Sequence, residues 1–430
     1  MSLPALPIGA GSLAAPATDQ AFDLLDRPFA GPPLDGAALD AALARPIASD
    51  PLEDLARPAR RVHLVVPDAT RAAGTPVLVA AAMRTLLRAG VAAERVGVAF
   101  ALGLHRPPTA AERRGILGEW DGRLEIVPCE PDRPEDRIDL GATSRGTPIH
   151  LGRRALDADL RLLIGSIGFH YFAGFTGGRK AILPGLAAGD SIRANHLRVL
   201  GDERAGAEGD AGRDPRVRPG VLDGNPVHLD MEEAAQAALR GPSFLINSAT
   251  DDGGRVVAVF AGDWREAHRA GCDWVAARRA LDIDAPRPLV VASAGGQPKD
   301  LNLIQAHKAM EHAQAAVADG GALVLAAACP DGIGHASFLS WMARRADPAA
   351  FSRELRARYE VYGQTAYALA TKLRRFQIVL ISSLPPAQVE AAGLIPARDL
   401  EGALVLARSI AGAGRGWWIP HAGSVLVRVS

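Results

Sequence analysis

Residues 170–185 read HYFAGFTGGRKAILPG, which brings a histidine, two adjacent glycines and a lysine into one short stretch. The backbone N–H groups of Gly177 and Gly178, next to the cations of Arg179 and Lys180, favour a phosphorylated ligand. Lys180 can also form a covalent bond with a carbonyl group of a cofactor or substrate. A solvated turn is the simpler alternative for the Arg-Lys pair. The stretch is therefore a candidate cofactor site.

Two common nucleotide-binding motifs do not fit this stretch. A P-loop requires glycine where Arg179 stands, and serine or threonine where Ala181 stands. The run is also not a G-x-G-x-x-G dinucleotide fingerprint. A standard triphosphate site is excluded, and the missing fingerprint argues against a diffusible nicotinamide cofactor.

Three of the eleven histidines, His105, His170 and His196, stand in motif-like settings: GLHRPPT, GFHYFAG and RANHLRV. A neutral histidine near pH 7 can accept a proton and later return it. Two such groups on opposite sides of a carbon atom suit a reaction that inverts a stereocentre. None of the three has metal-ligand spacing, so no metal site can be assembled from spacing alone. A packing or surface role is the alternative for each one.

Charged side chains also follow predicted strands. In the segment PDATR, Arg71 can clamp a carboxylate and Asp68 can orient a neighbouring group. The alternative is a local ion pair or a helix cap. Lys299, in GGQPKD, follows a later strand and would add positive charge from a second domain. This arrangement suits a small anionic substrate bound between two domains.

Short apolar runs at 61–71, 95–106, 160–170 and 288–300 end in these polar clusters, as buried parallel strands do. Helical patterns such as 75–91 and 303–320 lie between them. We therefore predict an α/β fold of two domains, with mostly parallel sheets flanked by helices. Ligands of such sheets bind beyond the carboxyl ends of the strands, which predicts an active site in the interdomain cleft.

The domain boundary is expected near residue 280. Residues 1–280 would carry the lysine and the three histidines, and residues 281–430 would contribute Lys299 to the cleft. The chain has 430 residues, too many for one ordinary core. The interval 246–263 is expected to form a hairpin with Asp-Gly-Gly at its turn. The C-terminal stretch GWWIPHAGSVLVRVS can return to the first domain or close the second.

Composition narrows the class of protein. The chain has 48 basic and 48 acidic residues, so its bulk charge gives no indication of nucleic acid or a membrane surface as partner. No apolar run approaches the ~18 residues of a spanning helix, and the N-terminus does not resemble a signal peptide. Three scattered cysteines without pairing or metal spacing fit a reducing compartment. We expect a cytoplasmic protein.

Taken together, these segments resemble the lactate racemase family that carries the nickel pincer nucleotide. The resemblance covers nearly the whole chain. It includes the D-x-T-R element at 68–71, GLHRPPTAAE, HYFAGFTGGRKAILPG and the pair Asn195-His196. It continues through DGNPVHLDMEEAA and GGQPKDLNLIQAHKA.

The resemblance implies how the cofactor, pyridinium-3,5-bisthiocarboxylic acid mononucleotide with nickel, is held. Lys180 matches the lysine that tethers it through a thioamide. His196 matches the protein ligand of the nickel, whose other ligands are a carbon and two sulfurs of the cofactor. We expect further cofactor contacts from Thr70 and from the Gly177–Arg179 segment. Cofactor-biosynthesis enzymes are then implied as partners.

The same resemblance implies roles toward a 2-hydroxy acid substrate. His105 and His170 match the paired acid–base histidines, one of which takes the hydroxyl proton while hydride passes from Cα to the cofactor. Arg71 and Lys299 match residues that hold the substrate carboxylate, and Asp68 supports the site. The reaction implied is racemisation or epimerisation.

The substrate is left open, because members of the family act on several 2-hydroxy acids. Gln297 stands where an aromatic residue is expected in a lactate enzyme, and we include it among the substrate-binding candidates. Trp417, Trp418 and His421 can tune the pocket or simply pack. Malate and a sugar acid are alternatives to lactate. The rival functions are a nicotinamide-type oxidoreductase of 2-hydroxy acids and a non-catalytic protein that binds the cofactor.

Overall fold

Two six-stranded sheets organise the chain in the computed structural model. The structure describes residues 3–16, 21–68, 74–201 and 214–429. Thr70 and Arg71 lie outside these residues. We refer to the part built on the first sheet as the N-terminal domain and to the part built on the second as the C-terminal domain.

The strands of the described residues are numbered in chain order. They are β1 (Leu6–Ile8), β2 (Gly11–Leu13), β3 (Phe22–Leu24), β4 (Val62–Pro67), β5 (Val96–Ala101), β6 (Glu125–Ile126), β7 (Arg137–Ala142), β8 (Pro148–Gly152), β9 (Leu160–Ser166), β10 (Phe169–His170), β11 (Gly174–Phe175), β12 (Ser243–Thr250), β13 (Val256–Gly262), β14 (Ala280–Ile283), β15 (Arg287–Ser293), β16 (Val317–Ala326), β17 (Gln377–Ile381), β18 (Ile395–Ala397), β19 (Gly416–Ile419) and β20 (Leu426–Val429).

The helices of the same residues are numbered likewise. They are α1 (Gly36–Ala44), α2 (Leu52–Ala56), α3 (Thr75–Arg88), α4 (Ala110–Leu117), α5 (Arg153–Leu156), α6 (Gly189–Leu197), α7 (Pro226–Ala238), α8 (Glu266–Arg279), α9 (Leu303–Ala313), α10 (Ala336–Met342), α11 (Pro348–Ala357), α12 (Gly363–Leu373), α13 (Pro386–Ala391) and α14 (Leu400–Ala411).

The N-terminal sheet has the strand order β13-β12-β9-β4-β5-β6. Its strands run parallel except for β13, which returns from β12 as the expected hairpin. The central strands consist of residues such as Val65 and Leu163, which are fully buried and paired in register. Because β4, β5 and β9 are parallel neighbours, the residues that follow them meet at one edge of the sheet.

The C-terminal sheet has the order β18-β17-β16-β15-β19-β3, and every neighbouring pair is parallel. Its core includes the fully buried Trp418 and Trp341. The prediction of two domains with mostly parallel sheets flanked by helices is confirmed. The C-terminal stretch closes the second domain, since β19 joins this sheet and β20 pairs with β14.

Two details of the sequence prediction change. The helix expected over 303–320 ends at Ala313, and a strand begins at Val317, because the apolar residues from there on pair with β15. Strand β3, from the N-terminal end of the chain, adds an edge to the C-terminal sheet, with Phe22 opposite Gly416. The domain boundary near residue 280 stays a prediction. That prediction did not include a strand from the N-terminal end of the chain in the C-terminal sheet.

A buried charge cluster joins two helices of the C-terminal domain. Glu311 of α9 accepts a hydrogen bond from the ammonium of Lys372 of α12, and both side chains are almost completely buried. Lys372 Nζ also donates to Ala368 O at 2.8 Å and lies 3.3 Å from His307 Nε2. A buried charge is tolerated only when it is paired and hydrogen-bonded in this way.

We expect Glu311→Gln to destabilise the protein by about 3–5 kcal/mol, because it leaves the Lys372 ammonium buried without its counter-charge. Urea unfolding followed by circular dichroism measures the change. The double variant Glu311→Leu, Lys372→Met removes both charges and should recover most of the loss. Equal destabilisation of the single and double variants would contradict a role for the charge pair.

Candidate active site

Asp68 and His105 form an ion-pair-like contact at the carboxyl ends of β4 and β5. The Nδ1 atom of His105 lies 2.7 Å from Oδ2 of Asp68. The aspartate side chain is buried, whereas the histidine side chain is 39% exposed. If Nδ1 donates its proton to this carboxylate, the neutral ring has its lone pair on Nε2. His105 then presents a proton acceptor at the sheet edge.

A cavity of about 220 Å³ lies beside His105. It is lined by Leu102, Gly103, His105, residues 129–133, Gly185 and Ala187. The histidine is thus reachable from outside while its Asp68 partner is covered.

His170 begins the quoted stretch and ends strand β10, the first strand of a small hairpin with β11. Its side chain is buried, stacked on Tyr171 at 5.2 Å between ring centres and in edge contact with Phe172 at 4.4 Å. Nδ1 faces the backbone N–H groups of Phe172 and Ala173 at 3.5 and 3.3 Å. In this arrangement Nδ1 accepts, and the neutral ring carries its proton on Nε2.

The ring of Phe172 is surrounded by three of the residues that the sequence singles out. The ring of His170 lies 4.4 Å from its centre and the ring of His196 lies 4.8 Å from it. The ammonium of Lys180 lies 5.4 Å from the same centre. We call these four residues the Phe172 cluster. The structure therefore brings together one candidate acid–base histidine, the candidate metal ligand and the candidate tether.

Lys180 lies on a single 3₁₀ turn, Gly178–Ala181, and its side chain is largely buried. Its carbonyl accepts from Gly185 N at 3.0 Å, and the carbonyl of Gly185 accepts from Gly103 N at 2.9 Å. These two backbone hydrogen bonds connect the lysine turn to the loop that carries His105.

The two glycines are required by protein neighbours. Gly178 has φ +55°, and a Cβ there would lie 2.6 Å from Cγ of His268. At Gly177, with φ +77°, a Cβ would lie 2.3 Å from Oδ1 of Asn247, which accepts the N–H of Gly178 at 2.8 Å. Internal packing therefore accounts for both glycines, and a contact of their backbone with a cofactor stays a prediction.

The contact of Arg179 with a cofactor stays a prediction, and in the structure its side chain binds other parts of the protein. Its side chain is fully buried and donates to the carbonyls of Ala173, Phe175 and Gly177 at 2.6, 3.0 and 3.3 Å. Its Nη1 also lies 2.9 Å from Nε2 of His268, which lies at the same distance from Thr176 O. Burial lowers the pKa of the guanidinium to about 10, which leaves it charged at neutral pH. The cation ties the loop together from inside.

His196 lies in the last turn of α6, and the preceding residue holds that helix in place. The amide Nδ2 of Asn195 donates to Asp230 Oδ2 at 2.9 Å and to Val227 O at 3.1 Å. Asp230 is completely buried and also accepts from the hydroxyls of Thr143 and Thr147. The side chain of Asn195 thus fixes the helix that carries His196, and the two threonine hydroxyls hold its partner Asp230 in place.

Asn225 is a further supporting residue that the sequence interpretation missed. Its Nδ2 donates to Phe172 O at 2.9 Å and to Val221 O at 3.0 Å. Its Oδ1 caps α7 by accepting from Val227 N at 3.0 Å and from His228 N at 3.3 Å. The segment DGNPVHLD contains both Asn225 and Asp230, so the signal was present, but no role was assigned to it.

Lys299 lies between Gly295 and Gly423 and donates to the hydroxyl of Ser424. Burial lowers the pKa of its ammonium, and Asp252 and Arg279 of the N-terminal domain act on it in opposite directions. The contribution of Lys299 to an interdomain cleft stays a prediction.

The other sequence candidates lie apart from the Phe172 cluster or outside the described residues. Gln297 is exposed, and its backbone N–H pairs with Gly9 O at 2.9 Å. Thr70 and Arg71 lie outside the described residues, so their predicted roles are untested. Within those residues, no group of three or more histidine, cysteine, aspartate or glutamate side chains is placed to hold a metal ion.

The C-terminal aromatic pair packs. Trp418 is fully buried, with its Nε1 donating to Pro4 O at 2.9 Å, and Trp417 lies under the guanidinium of Arg287 at 3.5 Å. His421 Nδ1 lies 3.3 Å from Asp26 Oδ1. Of the two alternatives for the tryptophans, packing is the one that these contacts describe.

Comparison with known families assigns both halves of the chain. Residues 13–208 match the lactate racemase N-terminal domain, and residues 284–427 match the lactate racemase C-terminal domain. The chain belongs to the lactate racemase family. The resemblance inferred from the motifs is thereby confirmed.

Characterised relatives agree with this membership. The chain is 32% identical to lactate racemase of Thermoanaerobacterium thermosaccharolyticum over 375 residues, 86% of this chain and 84% of the relative. It is 33% identical to lactate racemase of Lactiplantibacillus plantarum over 317 residues, 73% of this chain and 70% of the relative. These matches confirm the prediction of an isomerase of the lactate racemase type.

Solved structures show the same fold. The lactate racemase apoprotein from Thermoanaerobacterium thermosaccharolyticum superposes with a TM-score of 0.89 at 30% identity, covering 99% of both chains. A protein from Thermotoga maritima superposes with a TM-score of 0.68 at 18% identity, over 94% of this chain and 100% of its own, and shows the fold alone. No helix among the described residues of our chain is long and apolar enough to cross a membrane.

The support of the lysine loop predicts a pH dependence. Burial first, and then the charge of Arg179, lower the pKa of His268 to about 3 from its ordinary 6.5. Below about pH 6.5, His268 of the unfolded chain therefore binds a proton. In the folded protein the same histidine binds a proton only below about pH 3. Stability should fall as the pH decreases through this window, by up to about 1.4 kcal/mol per pH unit for this group. His268→Gln should make the slope of stability against pH shallower by the amount that corresponds to about one bound proton.

Urea unfolding at several pH values between 4.5 and 8 measures the two slopes. Above pH 7 the slopes of the variant and the wild type should coincide, since the histidine is neutral there in both states. An unchanged slope in the variant below pH 6.5 would show that His268 titrates normally in the folded protein.

Proposed function

We propose that this protein racemises or epimerises a 2-hydroxy acid by reversible hydride transfer to a covalently bound nickel pincer nucleotide. His105 and His170 act as the acid and base. The observation that supports this most is the Phe172 cluster, in which His170, Lys180 and His196 all contact one aromatic ring. Family membership makes these the residues expected to carry the chemistry.

The two histidines have different hydrogen-bond partners, from which we infer the ring nitrogen that carries the proton in each neutral ring. His105 donates Nδ1–H to Asp68, so its Nε2 is ready to accept the hydroxyl proton of a substrate. His170 accepts at Nδ1 from the backbone, which places the proton of the neutral ring on Nε2 and makes Nε2 the nitrogen that would exchange a proton with a substrate oxygen. One enantiomer would begin with its hydroxyl at His105, and the other would place its oxygen at His170.

The residues present fit the cofactor. Lys180 is a largely buried amine and can form the covalent tether. His196, held by the Asn195–Asp230 contact, can supply the protein ligand of nickel. When bound, the nickel pincer nucleotide supplies a reversible acceptor for the hydride of Cα. The remaining nickel ligands are then assigned to the cofactor itself.

Carboxylate binding is assigned to Arg71 and Lys299, with Thr70 among the cofactor contacts. The relatives act on lactate by name, and lactate is the first substrate to test. A larger 2-hydroxy acid such as malate or a sugar acid is the alternative substrate, with Gln297 as a candidate contact. A cytoplasmic location and the need for cofactor-biosynthesis enzymes belong to the same proposal.

The proposal is tested by producing the protein together with the cofactor-building enzymes. We expect an adduct on the peptide that contains Lys180, seen by intact mass and peptide mapping, and about one nickel per chain. Lys180→Arg keeps the positive charge but should carry no adduct. Unmodified Lys180 without nickel, under conditions that load the Thermoanaerobacterium enzyme, would remove the assignment. Loaded protein is then assayed with both enantiomers of lactate, malate and sugar acids.

Asp68→Asn tests the role of the buried carboxylate. An amide can offer either its oxygen or its NH₂ to Nδ1, so the tautomer that leaves Nε2 free as a base is no longer favoured. We expect kcat to fall roughly 10²–10³-fold with cofactor loading unchanged. Asp26→Asn, in the pair with His421, is the matched control and should leave kcat near the wild-type value. Full activity in Asp68→Asn would show that His105 does not depend on this partner.

A further inference from the structure

Tyr171 contacts both His170 and the C-terminal domain. Its ring stacks on His170, with 5.2 Å between ring centres and 17° between planes. Its hydroxyl hydrogen-bonds the hydroxyl of Thr365 at 2.8 Å, and both groups are buried. Thr365 lies in the first turn of α12, in the other domain. The tyrosine therefore spans the interface with one end on the candidate acid–base residue.

A second contact holds the tyrosine ring from the C-terminal domain. The ring of His307 meets it edge-on, at 5.7 Å and 90°. His307 is itself fixed within the buried cluster of Glu311 and Lys372, with its Nε2 3.3 Å from the lysine ammonium. The Tyr171 ring thus lies between two histidines, one in each domain, and the α9–α12 pair determines its position.

The imidazole ring of His170 has little room to rotate. Tyr171 covers one face of the imidazole, and the Phe172 ring meets it at 84°. Its Nδ1 faces two backbone N–H groups, so the orientation of the ring plane determines where Nε2 lies. A displaced Tyr171 would open the covered face and permit the ring to rotate.

We propose that Tyr171, held by Thr365 across the domain interface, is a positioning residue that fixes the ring plane of His170 for proton transfer. The proposal rests on the proposed function in that it takes His170 to be an acid–base residue. It adds that the C-terminal domain controls this histidine as well as supplying Lys299. Misplacing a reacting group by about 1 Å can cost roughly 100-fold in rate.

The test uses the variants Tyr171→Phe and Thr365→Val, each of which deletes one hydroxyl of the hydrogen bond, and their double variant. Thr371→Val is the matched control, because the Thr371 hydroxyl is also buried on α12 but donates to Ala368 O within its own helix. In loaded enzyme we expect each single variant to lower kcat about 10–100-fold with KM little changed. The double variant should be no worse than the poorer single one, because both remove the same contact.

A second readout does not require the cofactor. In apoprotein labelled with ¹⁵N-histidine, the ring signals of His170, assigned by their loss in His170→Gln, report its tautomer and mobility. They should change in Tyr171→Phe and Thr365→Val and stay unchanged in Thr371→Val. Unchanged His170 signals in the first two variants would overturn the proposal, as would strictly additive losses of kcat. If the wild type cannot be loaded, the proposed function fails, while the apoprotein signals still decide the role of Tyr171.

Discussion

The site depends on the placement of one aromatic ring, that of Phe172. Three groups, two imidazoles and an ammonium, lie within 5.4 Å of the centre of this ring. Its own backbone carbonyl is held by the amide of Asn225, which at the same time caps α7. A movement of this segment would therefore shift His170 and alter the surroundings of Lys180 and His196 together. The candidate site is rigid because its members share a support.

The parallel sheet explains how distant parts of the sequence reach this place. Asp68, His105 and His170 follow β4, β5 and β9, which are adjacent and parallel, so their carboxyl ends coincide. Apolar runs ending in polar clusters carried enough information to predict these strands and the edge at which they end. The hairpin at β12–β13 was equally predictable, because Asp-Gly-Gly is a strong turn signal. The short strand β3 was not, since three residues show no periodicity until their partner in the other domain is known.

Within the candidate site, the sequence predicted which residues lie close together better than it predicted the contacts of each side chain. Arg179 and the glycine pair looked like parts of an anion cradle, yet the guanidinium points into the core and the glycines pack against His268 and Asn247. A motif does not reveal which way a side chain points, because that depends on helices far along the chain. For the same reason Asn225 and Asp230 could be quoted as part of a pattern but not assigned as supports. The possible role of Tyr171 becomes visible only when the structure shows its hydroxyl bonded to that of Thr365.

A racemase must serve two mirror-image substrates with a protein that has no mirror symmetry. In the proposed mechanism His105 and His170 serve the two enantiomers, and their supports differ. A charged carboxylate orients His105, whereas backbone N–H groups and a stacked tyrosine orient His170. Because enantiomers have equal free energies, these differences cannot favour one product at equilibrium. They can change kcat and KM separately for each enantiomer. The ratio kcat/KM, however, must be the same for both enantiomers. The unequal histidines are thus compatible with racemisation, provided that each is held in the protonation state its own half-reaction needs.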